Sequence, residues 1–286
     1  TLQRGSGTSI QNLLFTNTAP RTYSFSGGTF NSSGIAITLS LGSTLTLNSP
    51  ITVNQSFVNN GTLYLQDKIM SGAGTFTHTS ANTATLGIGH ADGIESTGSV
   101  GNIQVSGTRI YGANANYLYN GIVPQVSGKG LGTAYNLTID NPSHVVQKSA
   151  ANTTQNVTVN NQFTLSNGNY HIGGISGNLN TLTLNGPVIA GTPTNLQSSN
   201  YSNLVFGGSQ AGIFVPSSID SLNSLSIQNS HADGVYLTGS VDLFQSTPGV
   251  LNLGGRLKLG AHNLSILSNS YSASITGTFS TNAMLV

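Results

Sequence analysis

One short motif carries the residues of this sequence best suited to bind a metal ion or to move a proton. The motif, His-Ala-Asp-Gly, occurs twice, and its members are His90, Asp92, Gly93, His231, Asp233 and Gly234. An imidazole and a carboxylate two positions apart could ligate a metal, but no third ligand follows either pair in the sequence. Because Asp and Gly favour tight turns, we interpret the motif as a repeated structural corner and predict no metal site.

The two copies of the motif are the firmest internal repeat in the chain. Segments 90–100 and 231–241 are identical at eight of eleven positions. The offset between them is 141 residues, close to seven units of about 20 residues, the size of one coil in a repetitive β-fold. The repeat therefore indicates an array of such coils.

The acidic residues offer little for acid–base catalysis. There are only 7 of them, and they are scattered along the chain: Asp67, Asp92, Glu95, Asp140, Asp220, Asp233 and Asp242. Polysaccharide hydrolysis generally needs two carboxyl groups close together. Folding could bring distant residues together, so a polysaccharide-active enzyme stays a minor alternative. We expect no catalytic residue, no cofactor and no enzymatic activity.

Two other residue patterns suggest surfaces for binding. Tyr111, Tyr117 and Tyr119 are expected to be exposed and could stack on sugar rings, although tyrosines also fill irregular corners of a core. Thr-x-Thr pairs occur at 44/46, 75/77 and 181/183. Stacked pairs of this kind can match ice, but the other coils lack them, so ice binding is a weaker alternative.

Charge and hydropathy exclude several classes of partner. The formal net charge is +1 and only 5% of the residues are charged, so nothing attracts nucleic acid. No apolar run approaches the ~18 residues that cross a bilayer, so we predict no membrane insertion. The chain lacks cysteine, which excludes disulfides and thiolate metal ligands and is compatible with an extracellular bacterial protein. Thr1 is not a start methionine, so we expect a mature form or a fragment.

Short alternating runs predict the elements that position these residues. Runs 137–139, 157–159 and 182–184 each read apolar-Thr-apolar, which is the period of a half-buried strand. They begin 20 and 25 residues apart, and we interpret them as one strand of a stacked coil seen three times. Leu45 and Leu63, and then Leu182, Leu204 and Leu225, are spaced in the same way.

We therefore predict an all-β protein, a right-handed parallel β-solenoid with coils of about 20–25 residues. Tandem β-sandwich repeats are the alternative, because they also combine short strands with turns. Residues 1–40 are expected to form an N-terminal cap or irregular first coils, and 41–286 the solenoid. An irregular insertion is expected around 81–135.

Several segments resemble repeats of large secreted cell-surface proteins of the Bacteroidota, which are exported by the type IX secretion system. The matching segments are 101–108, 117–121, 128–131, 136–141, 156–168 and 275–279, together with Gln125. The resemblance implies an extracellular repeat protein, often adhesive or structural. It implies a location outside the cell or on the bacterial surface.

These observations together predict a structural role. We expect a β-solenoid that forms an extracellular fibre or adhesin stalk through self-association, since open coil ends present unpaired strand edges. The alternative is a glycan-binding adhesin module whose partner is a surface polysaccharide. The completeness of the chain, its assembly state, its ligand and its glycosylation are not predicted.

Overall fold

The computed structural model describes residues 12–15, 21–25, 30–31, 34–244, 248–267 and 274–277. In these residues every pairing between named strands is parallel, and the only helix is a 3₁₀ turn at Pro193–Asn195. The strands stack as a β-solenoid of about ten turns. The predicted all-β solenoid is therefore confirmed, whereas tandem sandwiches would need antiparallel sheets.

Three sheets form the N-terminal part of the solenoid. Sheet 1 contains β1 (Asn12–Phe15), β4 (Ala36–Leu39), β7 (Ser56–Asn59), β10 (Thr75–His78) and β13 (Arg109–Tyr111). Sheet 2 contains β2 (Arg21–Phe25), β5 (Ser43–Leu47), β8 (Thr62–Tyr64), β11 (Thr85–Ile88), β14 (Asn116–Tyr119), β17 (Asn136–Val146), β19 (Phe163–His171) and β21 (Ala190–Gly191), with β15 (Gln125–Val126) paired to β17 and β22 (Leu196–Gln197) to β19. Sheet 3 contains β3 (Phe30–Asn31), β6 (Ile51–Thr52), β9 (Met70–Gly72) and β12 (Ile103–Val105).

Three further sheets form the C-terminal part. Sheet 4 contains β16 (Thr133–Ala134), β18 (Asn156–Val159), β20 (Asn180–Leu184), β23 (Ser202–Phe206), β26 (Ser224–Ile227), β29 (Pro248–Leu253) and β32 (Ser274–Gly277). Sheet 5 contains β24 (Ile213–Val215), β27 (Val235–Leu237) and β30 (Leu257–Lys258). Sheet 6 contains β25 (Ser221–Leu222), β28 (Val241–Leu243) and β31 (Leu264–Ile266).

Two long strands in the middle of the chain, β17 and β19, continue through a corner of the coil. The start of β17 pairs with β14, and its far end pairs with β15. The register between β17 and β19 shifts between Ile139 and His144. Pro142 lies within this stretch, and its missing N–H leaves one ladder bond unmade, as expected where a strand bends.

The core is a set of side-chain rows that run from coil to coil. One row of in-register residues in sheet 2 consists of Leu45, Leu63, Leu86, Tyr117, Leu137 and Phe163, all buried. Thr44 and Thr46 flank Leu45 on the opposite face and stay half-exposed. Each fully buried Leu contributes roughly 1.5–3 kcal/mol, so the rows dominate the stability of the fold.

Most of the repeat spacings read from the sequence are confirmed as register. Leu45 pairs with Leu63, and Leu182 pairs with Leu204, which pairs with Leu225. Coil length is less uniform than predicted, because Leu86 pairs with Tyr117, 31 positions further along.

One spacing in the sequence prediction is wrong. Val157 pairs with Leu182, as expected, but Leu137 pairs with Phe163 in sheet 2 rather than with Val157 in sheet 4. Run 137–139 and run 157–159 therefore belong to different sheets. The three runs are not one strand seen three times.

The loop 94–101 is the main irregular feature within residues 81–135. An antiparallel bridge closes its two ends. The buried carboxylate of Glu95 accepts hydrogen bonds from the backbone N–H of Lys129 (3.0 Å) and of Ala150 (2.6 Å). The Arg109 guanidinium donates to the Glu95 carbonyl oxygen at 3.1 Å. Glu95 thus ties this loop to segments much further along the chain.

Residues 1–40 are described only in part. Strands β1, β2 and β3 pair with β4, β5 and β6, so they continue sheets 1, 2 and 3. Residues 34–40 are also described and contain β4, whereas the rest of the predicted cap lies outside the described residues, as does segment 278–286. In the part of the chain that the structure describes, no helix is long and apolar enough to cross a membrane.

Candidate functional site

Both His-Ala-Asp-Gly segments form the same tight turn. The N–H of Gly93 donates to the carbonyl oxygen of His90, and that of Gly234 to His231, at 2.9 Å in each case. The histidine Nδ1 accepts the N–H of the aspartate two positions later at 3.1 Å in both copies. Both glycines adopt a positive φ, +60° and +71°. This is the geometry of a structural corner.

The two turns do not occupy equivalent corners of the coil. Segment 90–93 follows β11 of sheet 2, whereas segment 231–234 follows β26 of sheet 4. The offset of 141 residues therefore separates two turns at different corners of the solenoid. The motif recurs because the same turn chemistry suits two different bends.

The turn geometry also bears on metal binding. The Nδ1 lone pair of each histidine is engaged by a backbone N–H, and the distance from Nδ1 to the nearest aspartate oxygen is 3.7 Å for His90 and 3.5 Å for His231. Among the described residues, no group of three or more His, Cys, Asp or Glu side chains could hold a metal ion.

Substituting a corner glycine tests how far these turns depend on glycine. A Cβ at Gly93 would lie 2.2 Å from the backbone oxygen of Val126, whereas one at Gly98 meets nothing within 4 Å although its φ is also positive. We expect Gly98→Ala to lower the free energy of unfolding by about 1–2 kcal/mol, because alanine would have to adopt a left-handed backbone conformation there. Gly93→Ala should cost about 3 kcal/mol or more, because the rigid neighbouring coil must move. Urea unfolding measures both, and equal losses would show that the close approach has no energetic consequence.

The predicted tyrosine surface is wrong for two of its three members. Tyr117 and Tyr119 are 1% and 0% exposed, and Tyr111 packs against the core. Each hydroxyl donates to a backbone carbonyl: Tyr111 to Glu95 at 3.0 Å, Tyr117 to Gly112 at 2.9 Å and Tyr119 to Ser127 at 2.6 Å. Burial raises the pKa of all three phenols well above 10. With their hydroxyls satisfied, Tyr117 and Tyr119 pack as core residues and offer no face to a sugar, whereas Tyr111 is partly exposed.

The outer threonines do not form two continuous rows. On sheet 2, Thr44, Thr62 and Thr85 are stacked in register. The neighbouring row reads Thr46, Tyr64 and Gly87, so it is interrupted after one coil. The flat array of paired threonines that ice matching requires is therefore absent from this part of sheet 2.

A cleft opens at the corner that follows sheet 2. It has a volume of about 460 Å³ and is lined by three segments from successive coils, 66–67, 89–91 and 120–123. These segments follow β8, β11 and β14, whose ladder fixes their spacing. Sequence reasoning missed the cleft, although the signal was available: each segment directly follows an alternating strand of the same sheet.

The polar wall of the cleft contains Asp67 and His90. The Asp67 carboxylate lies 2.5 Å from the Lys68 ammonium. The hydrogen bond from Lys68 lowers the pKa of Asp67 below its ordinary value. Asp67 is therefore ionised at neutral pH. His90 accepts the N–H of Asp92 at Nδ1, so in the neutral ring the proton lies on Nε2, which is a hydrogen-bond donor. Lys68, which adjoins the cleft, offsets the negative charge of Asp67.

The third lining segment, at the other end of the row from 66–67, is apolar and exposed. Ile122 is 84% exposed and Val123 is 46% exposed. Asn120 precedes them, and its side-chain oxygen is buried with no hydrogen-bond partner among the described residues. Gln66, in the first lining segment, has a φ of +53°, a conformation that non-glycine residues rarely adopt and that clusters at binding sites.

The fold and its surface define the chain as a parallel β-solenoid protein with a polar outer surface, a continuous apolar core and one mixed polar and apolar corner cleft. Comparison with known proteins adds no closer assignment. No protein-family model, no curated protein and no solved structure matches the chain.

Proposed function

We propose that this chain is a structural part of a secreted or cell-surface protein, a β-solenoid stalk or fibre segment that assembles by self-association. The observation that supports the proposal best is the single parallel stack. Coils about 4.8 Å apart satisfy their backbone groups along one axis, so about ten turns span roughly 50 Å. Such a column extends simply by adding coils.

The outer face of sheet 4 is suited to packing against a second copy. Its outward rows carry no charge, and their members are Thr133, Thr158, Thr183, Val205, Ser226 and Asn252 in one row and Asn156, Thr181, Asn203 and Ser224 in the next. Burying charged groups in an interface is costly unless they are paired. A neutral face of hydroxyl and amide groups avoids that cost.

Amide ladders on the surface of neighbouring coils further reduce the cost of burial. Asn136 donates to the side-chain oxygen of Asn116 at 2.8 Å, and Asn161 donates to that of Asn136 at 2.8 Å. On the outer face of sheet 4, the Asn203 amide donates to the Thr181 hydroxyl oxygen at 3.3 Å, and the Ser224 hydroxyl donates to the Asn203 side-chain oxygen at 2.8 Å. Because these polar groups are already paired within the molecule, less hydrogen bonding to water is lost when the surface is covered.

The extracellular setting is supported by composition and by resemblance. Only 5% of the residues are charged and cysteine is absent, and several segments resemble repeats of secreted surface proteins of the Bacteroidota. Under this proposal the protein is a mechanical element at the cell surface and performs no reaction.

The proposal predicts assembly that grows with concentration and depends on the outer face of sheet 4. We expect light scattering and electron microscopy to show dimers or filaments as concentration rises. Thr183→Lys, at the centre of that face, should weaken assembly about tenfold or more, about 1.4 kcal/mol, because lysine would be desolvated against its own copy. Thr52→Lys, an equally half-exposed position on sheet 3, is the matched control and should leave assembly unchanged. A protein that stays monomeric at all concentrations would contradict self-association.

A further inference from the structure

We propose that the corner cleft lined by segments 66–67, 89–91 and 120–123 is a binding site for a neutral saccharide unit. This proposal goes beyond the structural role and does not rest on self-association. It also differs from the sequence prediction, which placed sugar contacts on tyrosines that are buried.

The polar wall of the cleft matches the hydrogen-bonding pattern of a sugar. Sugar hydroxyl groups donate and accept, so they need both kinds of partner within one small site. The Asp67 carboxylate only accepts, its side chain is 70% exposed, and ionised acceptors make the stronger hydrogen bonds. His90 supplies a donor at Nε2, because its Nδ1 is engaged in the turn.

The apolar wall matches the other face of a sugar ring. Ring carbons present C–H groups that pack on exposed apolar side chains, and Ile122 and Val123 supply such a surface at one edge of the cleft. Sites that bury small molecules generally combine an apolar lining with a few convergent polar groups, in volumes of about 300–1,000 Å³. The cleft, at about 460 Å³, falls in that range.

Charge decides which saccharide fits. Asp67 is paired with Lys68 at 2.5 Å. A uronic acid or sulfated sugar would place a second anion beside Asp67, whereas a cationic amino sugar would compete with Lys68 for it. A neutral hexose or N-acetylhexosamine is neither repelled by Asp67 nor in competition with Lys68. Neutral sugar units are therefore the expected ligands.

The walls of the cleft are already held in place. The three segments leave strands that are hydrogen-bonded in register. Gly89 packs closely against segment 66–67, since a Cβ at Gly89 would lie 2.5 Å from the backbone of Gln66. The unpartnered oxygen of Asn120 would be satisfied by a ligand hydroxyl after rotation of its amide. A site held by rigid elements loses little conformational freedom on binding.

The repeated turn supplies a matched pair of variants for the test. Ala91 is exposed within the cleft, and Ala232 is the exposed alanine of the second His-Ala-Asp-Gly turn, which does not line this cleft. Ala91→Trp should fill the cleft without touching the core, and Ala232→Trp places the same side chain on the same turn elsewhere. Circular dichroism and thermal unfolding would establish that both variants fold.

Saturation-transfer NMR with maltose, cellobiose, lactose and N,N′-diacetylchitobiose at millimolar concentration provides the binding readout. We expect the full chain and Ala232→Trp to bind at least one of these sugars with equal affinity, and Ala91→Trp to lose about tenfold or more. Ile122→Ser, at a solvent-exposed position, should also weaken binding while leaving stability unchanged.

Three results would overturn the proposal. The first is no binding of any neutral sugar, and the second is equal binding by the two tryptophan variants. The third is selective binding of a glucuronate-containing disaccharide or of an apolar peptide at the cleft, since either would show a different class of ligand. None of these results bears on assembly through sheet 4, which light scattering measures separately.

Discussion

Lowering the pH from neutrality to about 4 is expected to remove about 3 kcal/mol of folding stability through His78 alone. His78 is fully buried at the end of β10, and burial lowers its pKa to about 4 from an ordinary value of 6.5. The protonated ring is disfavoured because burial removes it from water, and the backbone oxygens of Asn116 and Asn59 offset only part of that cost.

Hydrogen bonds explain why the His78 ring is neutral in the folded protein. The Asn59 amide oxygen accepts the N–H of Gly61 at 3.1 Å, which orients the Asn59 NH₂ group to donate to Nδ1 of His78 at 3.1 Å. Nδ1 is therefore unprotonated, and Nε2 faces the backbone oxygen of Asn116 at 3.4 Å. The ring also packs edge-to-face against Tyr117, with 5.2 Å between centroids. A proton added at Nδ1 would point at the amide hydrogens of Asn59.

The direction of the pH effect follows from the two pKa values. Between pH 6.5 and about 4 the unfolded chain binds a proton at His78 and the folded chain does not. His78 therefore makes its full contribution to the free energy of unfolding above pH 6.5. This contribution falls as the pH drops from 6.5 to about 4, and it is lost below about pH 4.

Urea unfolding at several pH values tests this prediction. His78→Gln should be less stable than the parent at pH 7, because the packing on Tyr117 is lost, but its stability should fall much less between pH 6.5 and 4. Equal slopes in the two proteins would show that His78 is not the group responsible.

The periodicity of the sequence predicts the strands well, because a stacked coil needs apolar residues at alternate positions on one face. Leu182, Leu204 and Leu225 are therefore found in one inward row, as their spacing indicates. The same periodicity does not identify the sheet. Leu137 and Val157 fit one pattern at a coil-like spacing, yet they belong to different sheets because coil length varies and β17 bends without ending.

The tyrosines show a second limit of sequence reasoning. Tyr117 and Tyr119 alternate with Leu118, so the pattern places both rings on one face of β14 but leaves either face able to be the buried one. The structure buries both rings, and backbone carbonyls satisfy their hydroxyls. These acceptors lie outside β14, so they cannot be found from the sequence of the strand itself. The strands beside the corner cleft can be found in this way, but its volume and lining depend on how three coils are aligned.

Replacing Asn102 by leucine is expected to destabilise the protein by about 4 kcal/mol or more. The side chain is fully buried, and its amide bonds backbone groups of two other coil segments. Its oxygen accepts from the N–H of Gly89 (3.2 Å) and His90 (3.1 Å), and its NH₂ group donates to the carbonyl oxygens of Gln66 (2.9 Å) and Lys68 (2.7 Å). Leucine would leave four backbone groups without this partner, the N–H of Gly89 in a buried bond and the other three in partly buried ones. A buried group left unpaired costs about 1–3 kcal/mol before relaxation.

Asn102→Asp separates hydrogen bonding from packing, because the two side chains have nearly the same shape. The carboxylate still accepts from Gly89 and His90, but it faces the carbonyl oxygens of Gln66 and Lys68 with no donor. We expect this variant to be strongly destabilised at pH 7 and to recover part of the loss near pH 4, where a protonated carboxyl can donate one bond. Asn200→Leu, at an exposed position, should change stability by less than about 0.5 kcal/mol.

Asn102 also connects the fold to the proposed sugar site, since the four backbone groups that it bonds belong to or adjoin two of the three segments that line the cleft. If the cleft binds a saccharide, Asn102→Asp should weaken binding under conditions where the variant is still folded, because Gln66 and His90 would lose their common support. Unfolding and sugar titration of the same sample, monitored by circular dichroism and NMR, would measure both effects. Unchanged stability in Asn102→Leu would show that the coil corner does not depend on this amide.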